Sequence, residues 1–593
     1  MLTSAGPKHE RSYKMRTLNI AFAQMDAIIG DFAGNYKKII AYLNEAETKG
    51  ADLLILPEGA VTGYPAMDLY NRPNFIAFAD KFNKKIANAT KSLNCGVLFG
   101  SIIHNHHERM PETFIDYEMP YNVAILAEKG EIKDIRIKMD LPNLDIFDEK
   151  RHFANDNLQG PIMFRGINIG VPICQDVWGE DVSECLTESG AEILCSINAS
   201  TWNHGKYDHR LNMAAARISE NKLPLIYLNA SGGQDAFIFD GQSFALDKSG
   251  ALLMQLPPFD EGLALSHWYD DPTHGWTCDD APKSAPLEGD EMVYRCLMQG
   301  LKGYMDKNSF KKVILGLSGG IDSALTATIA VDALGAENVS AVMMPSQFTS
   351  KESLDDARAL ANNLSIKLDT INIDNIRDTF SHELTAFKEQ GRPESIDIAE
   401  QNIQARIRAN LLMFLSNLSG ALLLTTGNKS ECAMGYSTLY GDSCGGFSLL
   451  MDVYKTKVFA LSKWRNKHYR PYMRGGDIKN GNIIPENIIS RPPSAELCDN
   501  QRDDQSLPPY DKLDIMLEIL IEGRGKISLA QKKLLKQHGI SHDDLNNVWK
   551  KVMQNEHKRF QAAPGVKISS TAFGTGWRYP LSHHYHKDIA TDS

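Results

Sequence analysis

The sequence predicts two successive α/β domains, the second of them a doubly wound parallel sheet. Three observations carry that reading. Short apolar runs alternate with amphipathic helical ones from Thr17 to about Leu265. A stretch rich in Pro, Asp and Gly, "DDPTHGWTCDDAPKSAPLEG" at Asp270–Gly289, then breaks the periodicity. Beyond it, strand-like runs return, separated by helical patterns long enough for right-handed crossovers. A chain of 593 residues has room for both cores.

In the first domain the elements read in order as "LNIAFAQMD" (strand), "NYKKIIAYLNEAE" (helix), then the strands "ADLLILPEG", "VLFGSIIH", "YNVAILAE", "INIGVPICQ", "AEILCSINAS" and "LPLIYLNASGG". Each strand is a short apolar run bounded by Gly, Pro, Asn or Asp, which is how a largely buried sheet is written. In the second domain a helix after Glu291 leads to "VILGL" (strand), "DSALTATIAVDALG" (helix), "VSAVMMP" (strand), "SLDDARALANNL" (helix), "KLDTINI" (strand) and later "ALLLTTG" (strand). The chain beyond Pro508 is mainly helical, and no repeat links the halves. The expected organisation is a flexible tail over 1–14, a first domain over 15–269, a linker over 270–289 and a second domain over 290–593.

A net charge of −11 disfavours a general nucleic-acid or anionic-membrane binder, while small anionic ligands remain open. Nine cysteines, odd in number and without CxxC or zinc spacing, read as reduced thiols of a cytoplasmic protein. The opening residues lack the apolar core of a signal peptide, and no later run is long enough to span a membrane.

The most informative stretch is Val313–Leu325, "VILGLSGGIDSAL". A buried strand ends in a Ser-Gly-Gly turn and restarts as a helix, so backbone N–H groups and the positive helix end converge on one anion. Such a nest fits a phosphate or pyrophosphate. The lysine of GxxxxGK[ST] loops is absent, which removes the key residue of γ-phosphate transfer. Asp322 is placed to hold Mg²⁺ on the phosphates; the plainer alternative is a Gly-Gly turn with Asp322 as a helix cap.

The full SGGxDS resembles the loop of ATP-pyrophosphatases, enzymes that adenylate a substrate and release pyrophosphate. "QNIQARIRANLLM", "TTGNKSECAMGYSTLYGD", "DVYKTKVFAL" and "RPPSAEL…QRDDQSLPPY" extend the resemblance to the synthetase domain of the glutamine-dependent NAD⁺ synthetases, over most of residues 290–580. It implies a Rossmann-like fold, ATP as co-substrate with Mg²⁺, and adenylation of the nicotinate carboxylate of deamido-NAD⁺ before ammonia displaces AMP.

By that resemblance Gly316, Leu317, Ser318, Gly319, Gly320, Ile321, Asp322 and Ser323 cradle ATP, with Thr426 and Lys455 also on it. Asn402, Arg406, Glu431 and Lys567 face deamido-NAD⁺, and Asp322 and Glu431 hold the metal. Asn402 and Arg406, four apart, share one helix face and form a paired clamp.

An ammonia consumer needs a source. Glu58 follows the strand "LLILPEG", Lys138 lies in "IRIKMDLPN", and Cys174 ends "INIGVPICQDVW". The trio resembles the Glu-Lys-Cys site of the nitrilase superfamily of carbon–nitrogen hydrolases, over roughly residues 17–265, and implies a four-layer αββα sandwich. Cys174 would attack the glutamine amide to form a thioester, its place at a strand end before a helix favouring thiolate. Glu58 would be the general base and Lys138 the oxyanion partner.

"INASTWNHGKYDHR" resembles the family's glutamine-binding segment, making Ser200 and Lys206 substrate contacts. Leu144, where the family often has Tyr, and Gln175, where Glu is common, are departures that bear on glutamine affinity. Small-molecule partners follow (deamido-NAD⁺, ATP and L-glutamine), together with a homo-oligomer and a shielded path for ammonia. An amidotransferase for another carboxylate or carbonyl, or a scaffold retaining both folds, are the competing readings.

Overall fold

The computed structural model describes residues 15–105, 119–476, 482–499, 501–524, 526–574 and 576–581. The expected tail over 1–14 lies outside the described residues. The chain divides into two compact units. The first takes in the chain up to Ser200, Gly205–Gly232 and Phe239–Pro286; the second takes in Thr201–His204, Gly233–Ile238 and everything from Leu287.

The first unit holds two sheets. The order in one is Gly275–Cys278, Gly262–Asp271, Thr17–Gln24, Leu53–Ile55, Gly96–Ile103, Tyr121–Glu128, Glu131–Ile137. In the other it is Leu252–Gln255, Phe244–Leu246, Leu225–Asn229, Ile193–Asn198, Ile167–Gly170, Ile162–Phe164. Side-chain parity stacks them. Along Thr17–Gln24, Leu18, Ile20 and Phe22 join a core shared with Ile169, Ile193 and Ile226 of the second sheet. Ala21 and Ala23 point the other way, against Ile39 and Leu43 of the Phe32–Thr48 helix and Phe82 and Ile86 of the Pro73–Ala89 helix. The second sheet turns its outer face, through Leu194, Leu225 and Phe244, to Leu186 of Asp181–Glu188 and Met213 and Ile218 of Lys206–Asn221. The result is the expected αββα sandwich. Each fully buried residue such as Phe22 contributes about 1.5–3 kcal/mol.

The expected linker is partly strand. Gly275–Cys278 pairs antiparallel with Gly262–Asp271, setting Trp268 opposite Cys278 and Asp270 opposite Trp276. Trp276 and Cys278 alternate inward into the core between the sheets. Two inward residues amid Pro, Asp and Gly are too few to register as periodicity.

In the second unit the sheet order is Lys367–Thr370, Val339–Met343, Val313–Gly316, Leu422–Thr425, Phe447–Ser448, and every pairing is parallel. The chain leaves Val313–Gly316 toward one edge and returns on its other side with Leu422–Thr425, a topological switch where such sheets bind ligands. The Ile321–Leu334 helix is mostly apolar and buried almost throughout, its inner acid Asp332 paired with Arg465, so it sits inside the fold. C-terminal helices supply a further core in which Leu513, Leu517, Val548 and Val552 pack on Ala433 and Met434. That packing fixes the Lys429–Met434 helix, which carries Glu431. Among the described residues, no helix is long and apolar enough to cross a membrane.

Candidate active sites

In the first unit three loops at strand ends bring Glu58, Lys138 and Cys174 together, all buried. The Lys138 ammonium donates to Glu58 Oε1 at 2.7 Å and to Glu149 Oε1 at 2.9 Å. Glu58 is held rigidly: Asn122 Nδ2 donates to its Oε1 at 2.8 Å and the Ala199 N–H to its Oε2 at 3.0 Å. Tyr64 donates its hydroxyl to Glu149 Oε1 at 2.5 Å. Burial alone would strip the proton from Lys138, but Glu149 and Glu58 outweigh it and hold the ammonium. Burial raises Glu149 to about 7, against the pull of Lys138.

Cys174 has φ 49°, a left-handed conformation that turns its side chain sharply out of the strand direction. The thiolate expectation is corrected. Burial pushes the thiol well above its ordinary range, and Glu58 and Glu149 add to this more than Lys138 relieves it. The following helix is a single 3₁₀ turn, Cys174–Val177, with little dipole to offer. That direction favours the thiol, for which attack requires a base.

Two residues of this site escaped the sequence reading. Glu149 lies in "DIFDEKRHF", where acidic residues are too common for one to stand out. Asp176 binds the site together: its Oδ1 accepts from the N–H groups of Met139 (3.0 Å) and Asp140 (2.7 Å), its Oδ2 from that of Ile173 (3.0 Å). One carboxylate thus fixes the backbone next to both Lys138 and Cys174. The spacing Cys-x-Asp was the only signal available.

Of the glutamine candidates, Ser200 is buried and fixed, with its Oγ accepting from Arg210 Nε at 3.2 Å and its carbonyl from Arg210 Nη2 at 2.8 Å. Arg210 is in turn held by both oxygens of Asp240 at 2.9 Å. Lys206 places its ammonium 4.2 Å from the Trp178 ring centre. Gln175 is half-buried beside Cys174, and Leu144 is 63% exposed.

In the second unit the Ser318–Ser323 turn opens into a cavity of about 340 Å³. Gly319 has φ +81°, and a Cβ there would stand 2.3 Å from the Ser353 carbonyl oxygen, so only glycine fits. Ser323 Oγ donates to the Gly320 carbonyl at 3.0 Å, and the Gly320 N–H donates to Ser318 Oγ at 3.2 Å. Lys455 lies between two carboxylates, 2.5 Å from Asp322 Oδ2 and 3.1 Å from Glu431 Oε1. Asn428 caps the Lys429–Met434 helix by accepting from the Glu431 N–H and donates to Asp322 Oδ1 at 2.9 Å. Burial raises Glu431 to about 7, while Lys455 opposes. Thr426 lines the same cavity.

Asn402 and Arg406 each bond the same loop: Asn402 Oδ1 accepts from Thr438 Oγ1 at 2.8 Å, and Arg406 Nε donates to the Leu439 carbonyl at 3.2 Å. Neither lines the cavity; Ala405, Arg408, Ala409 and Leu412 of the same helix do. Lys567 is buried outside the lining, its ammonium on the carbonyls of Ser569 (2.8 Å) and Ser570 (3.4 Å). Asp503, within the quoted "QRDDQ" but not singled out, does line it, and its Oδ2 accepts from the Tyr510 hydroxyl at 3.0 Å. Among the described residues no cluster of three or more metal-ligating side chains forms by itself.

The comparisons with known proteins match both halves of the chain. The chain matches the carbon-nitrogen hydrolase family over residues 19–267 and the NAD synthase family over residues 293–562. It is 40% identical to the glutamine-dependent NAD(+) synthetase of Rhodobacter capsulatus, over 95% of this chain and 98% of that one. The chain belongs to the glutamine-dependent NAD⁺ synthetases. Its likeness to the Thermotoga maritima member is 38% identity over 97% of this chain and 100% of that one. The solved structure of the Acinetobacter baumannii member, in complex with adenosine diphosphate, superposes with a TM-score of 0.73 at 35% identity, covering 95% of this chain and 98% of that one. Family membership accounts for both halves of the chain at once, each with its own site.

Proposed function

We propose that the chain makes NAD⁺ from deamido-NAD⁺, ATP and glutamine, hydrolysing glutamine in the first unit and using the ammonia in the second. The observation that carries this is the pairing, on one chain, of a buried Glu58–Lys138–Cys174 site with a phosphate nest that lacks a kinase lysine. Glu58 takes the proton of Cys174 as Sγ attacks the side-chain amide of glutamine. Two of the three donors of Lys138 are spent on Glu58 and Glu149, leaving the third for the oxyanion. Ammonia leaves with the Glu58 proton, and water activated by Glu58 releases glutamate from the thioester.

In the second unit a nicotinate carboxylate oxygen attacks the α-phosphorus of ATP, the bond to pyrophosphate breaks, and an acyl-adenylate forms. Ammonia attacks the acyl carbon, AMP departs, and a proton is released. The Ser318–Ser323 turn holds phosphate oxygens, and Lys455, freed from its carboxylates, offsets their charge. Asp322 and Glu431 are the residues that would hold Mg²⁺. Both present hard oxygens that already converge on one cationic nitrogen, which fits a cation shared with ATP. When bound, the ion supplies charge neutralisation on the phosphates.

The homo-oligomer reading gains support from the Pro393–Ser419 helix, where Phe414 and Leu418, four apart on one face, are 66% and 73% exposed. A second copy of this chain is the occupant we assign, because the same helix lines the nucleotide cavity. Sedimentation of wild type against Phe414→Glu tests it: loss of the larger species supports it, a monomeric wild type overturns it. Nine free cysteines support a reducing, cytoplasmic setting.

The deciding assay measures AMP and pyrophosphate with glutamine and a panel of acids. Formation with deamido-NAD⁺ and not with other carboxylates or nucleotides is the expected result. Equal turnover of another acid would replace the substrate assignment.

A further inference from the structure

Three cations line the nucleotide cavity: Lys455, Arg491 and Arg408. Lys455 is paired with Asp322 and Glu431, and Arg491 has Asp356 at 3.9 Å and the Gly319 carbonyl at 3.1 Å. Arg408 differs. Its Nε donates to the Met344 carbonyl at 3.0 Å, which anchors the side chain at the end of the Val339–Met343 strand. Its two terminal nitrogens have no partner among the described residues, and it forms no ion pair with any of them.

A guanidinium drawn into a protein without a carboxylate is costly. Burial pulls Arg408 down to about 10, with Glu496, Asp374 and Asp442 opposing from longer range. A neighbouring carboxylate would remove that cost, yet among the described residues none of the cavity's acids, Asp503 included, forms an ion pair with Arg408, and most are engaged elsewhere. Asp322 and Glu431 hold Lys455, Glu496 Oε1 accepts from Ser350 (2.8 Å) and Ser353 (2.7 Å), and Asp442 accepts from the Thr438 N–H at 2.6 Å. The anchored Nε leaves a fork of N–H groups on the cavity wall, the geometry that matches two oxygens of one phosphate or carboxylate. Register places the anchor close to the phosphate turn. Gly316 pairs with Val342 in the adjacent strand, and a Cβ on Gly316 would lie 3.5 Å from Met344 and 3.4 Å from Leu412, one helical turn beyond Arg408.

We infer that Arg408 is a binding residue for an anionic group of the nucleotide that fills this cavity. The inference rests on the reading of the cavity as the synthetase site. The anion has two possible sources, ATP and deamido-NAD⁺, which share the chemistry and separate in the test.

The experiment uses the full chain as wild type, Arg408→Met and Arg408→Lys. Titrations with ATP, AMP, adenosine and deamido-NAD⁺ are combined with KM and kcat for ammonium-driven NAD⁺ synthesis. Glutamine hydrolysis without nucleotide reports folding. Arg408→Met is expected to weaken ATP or deamido-NAD⁺ at least about tenfold, as for a lost charged hydrogen bond, to leave adenosine within about twofold, and to raise the matching KM more than it lowers kcat. Arg408→Lys recovers part of the loss. Whichever of ATP and deamido-NAD⁺ weakens identifies the source. Equal weakening of adenosine and ATP, or none for any anionic ligand, overturns the inference. A wild type that binds no ATP overturns instead the reading beneath it.

Discussion

The two sites solve opposite electrostatic problems. In the first unit Glu58, Lys138, Glu149 and Cys174 are all withdrawn from water, and every charge has a fixed partner before any substrate arrives. In the second the charged groups line an open cavity, and Lys455 bridges carboxylates that have other work to do. The difference follows from what each must accept. A neutral amide needs little room and a preset field, whereas a polyphosphate brings its own charge and must draw Lys455 away from the acids it bridges.

Substitutions at the two sites should therefore separate cleanly. The largest effect is expected for Cys174→Ala, which removes the nucleophile: glutamine-driven NAD⁺ synthesis falls by at least about a thousandfold, while synthesis from ammonium salts persists. A folded variant that loses both activities would break the division. Asp322→Asn and Glu431→Gln should each lower AMP formation about a hundredfold and shift its Mg²⁺ dependence, with glutaminase turnover alone spared. An unchanged Mg²⁺ titration would remove both residues from the metal.

Asp176→Asn keeps a side chain of the same shape but cannot accept all three backbone N–H groups. A drop in glutaminase kcat of about tenfold, with ammonium-driven synthesis untouched, is expected from a small displacement of Lys138 against Cys174. An equal loss in both assays would mean general instability.

A subtler contrast lies in pH. With Glu149 raised to about 7, lowering the pH through that value protonates it and removes one of the two counter-charges of Lys138. Glutaminase turnover should show an acid limb near pH 7 that Glu149→Gln flattens, measured without nucleotide. A limb of the same midpoint in the variant would assign it to another group. The smallest effect concerns ammonia itself. Given unlabelled glutamine and ¹⁵N-ammonium too dilute to support fast synthesis, NAD⁺ should carry mainly unlabelled amide nitrogen, as a shielded transfer requires. Label in proportion to the bulk pool would exclude it.

Sequence patterns exposed the parts whose chemistry is local. Ser318–Ser323 could be read because strand, glycines and helix are contiguous, and Glu58 and Cys174 because each ends an apolar run. The parity of Thr17–Gln24 was also legible as a buried strand, though not that its two faces serve different cores. Glu149, Asp176 and Arg408 were not legible in this way: each matters through a partner brought close by the fold, Lys138, Met139 or Met344. The surroundings of Lys567 were equally hidden: "GVKIS" does not show that the backbone carbonyls two and three residues on hold its ammonium.

The strand Thr17–Gln24 also bears on how the first unit comes apart. Its odd and even residues are walls of separate apolar compartments, one against helices and one against the second sheet. Loosening either compartment exposes one face of the strand and strips support from the other, so the compartments have no independent route to melting. Four layers joined through such shared walls should lose structure cooperatively, with the outer helices following the sheets rather than fraying ahead of them.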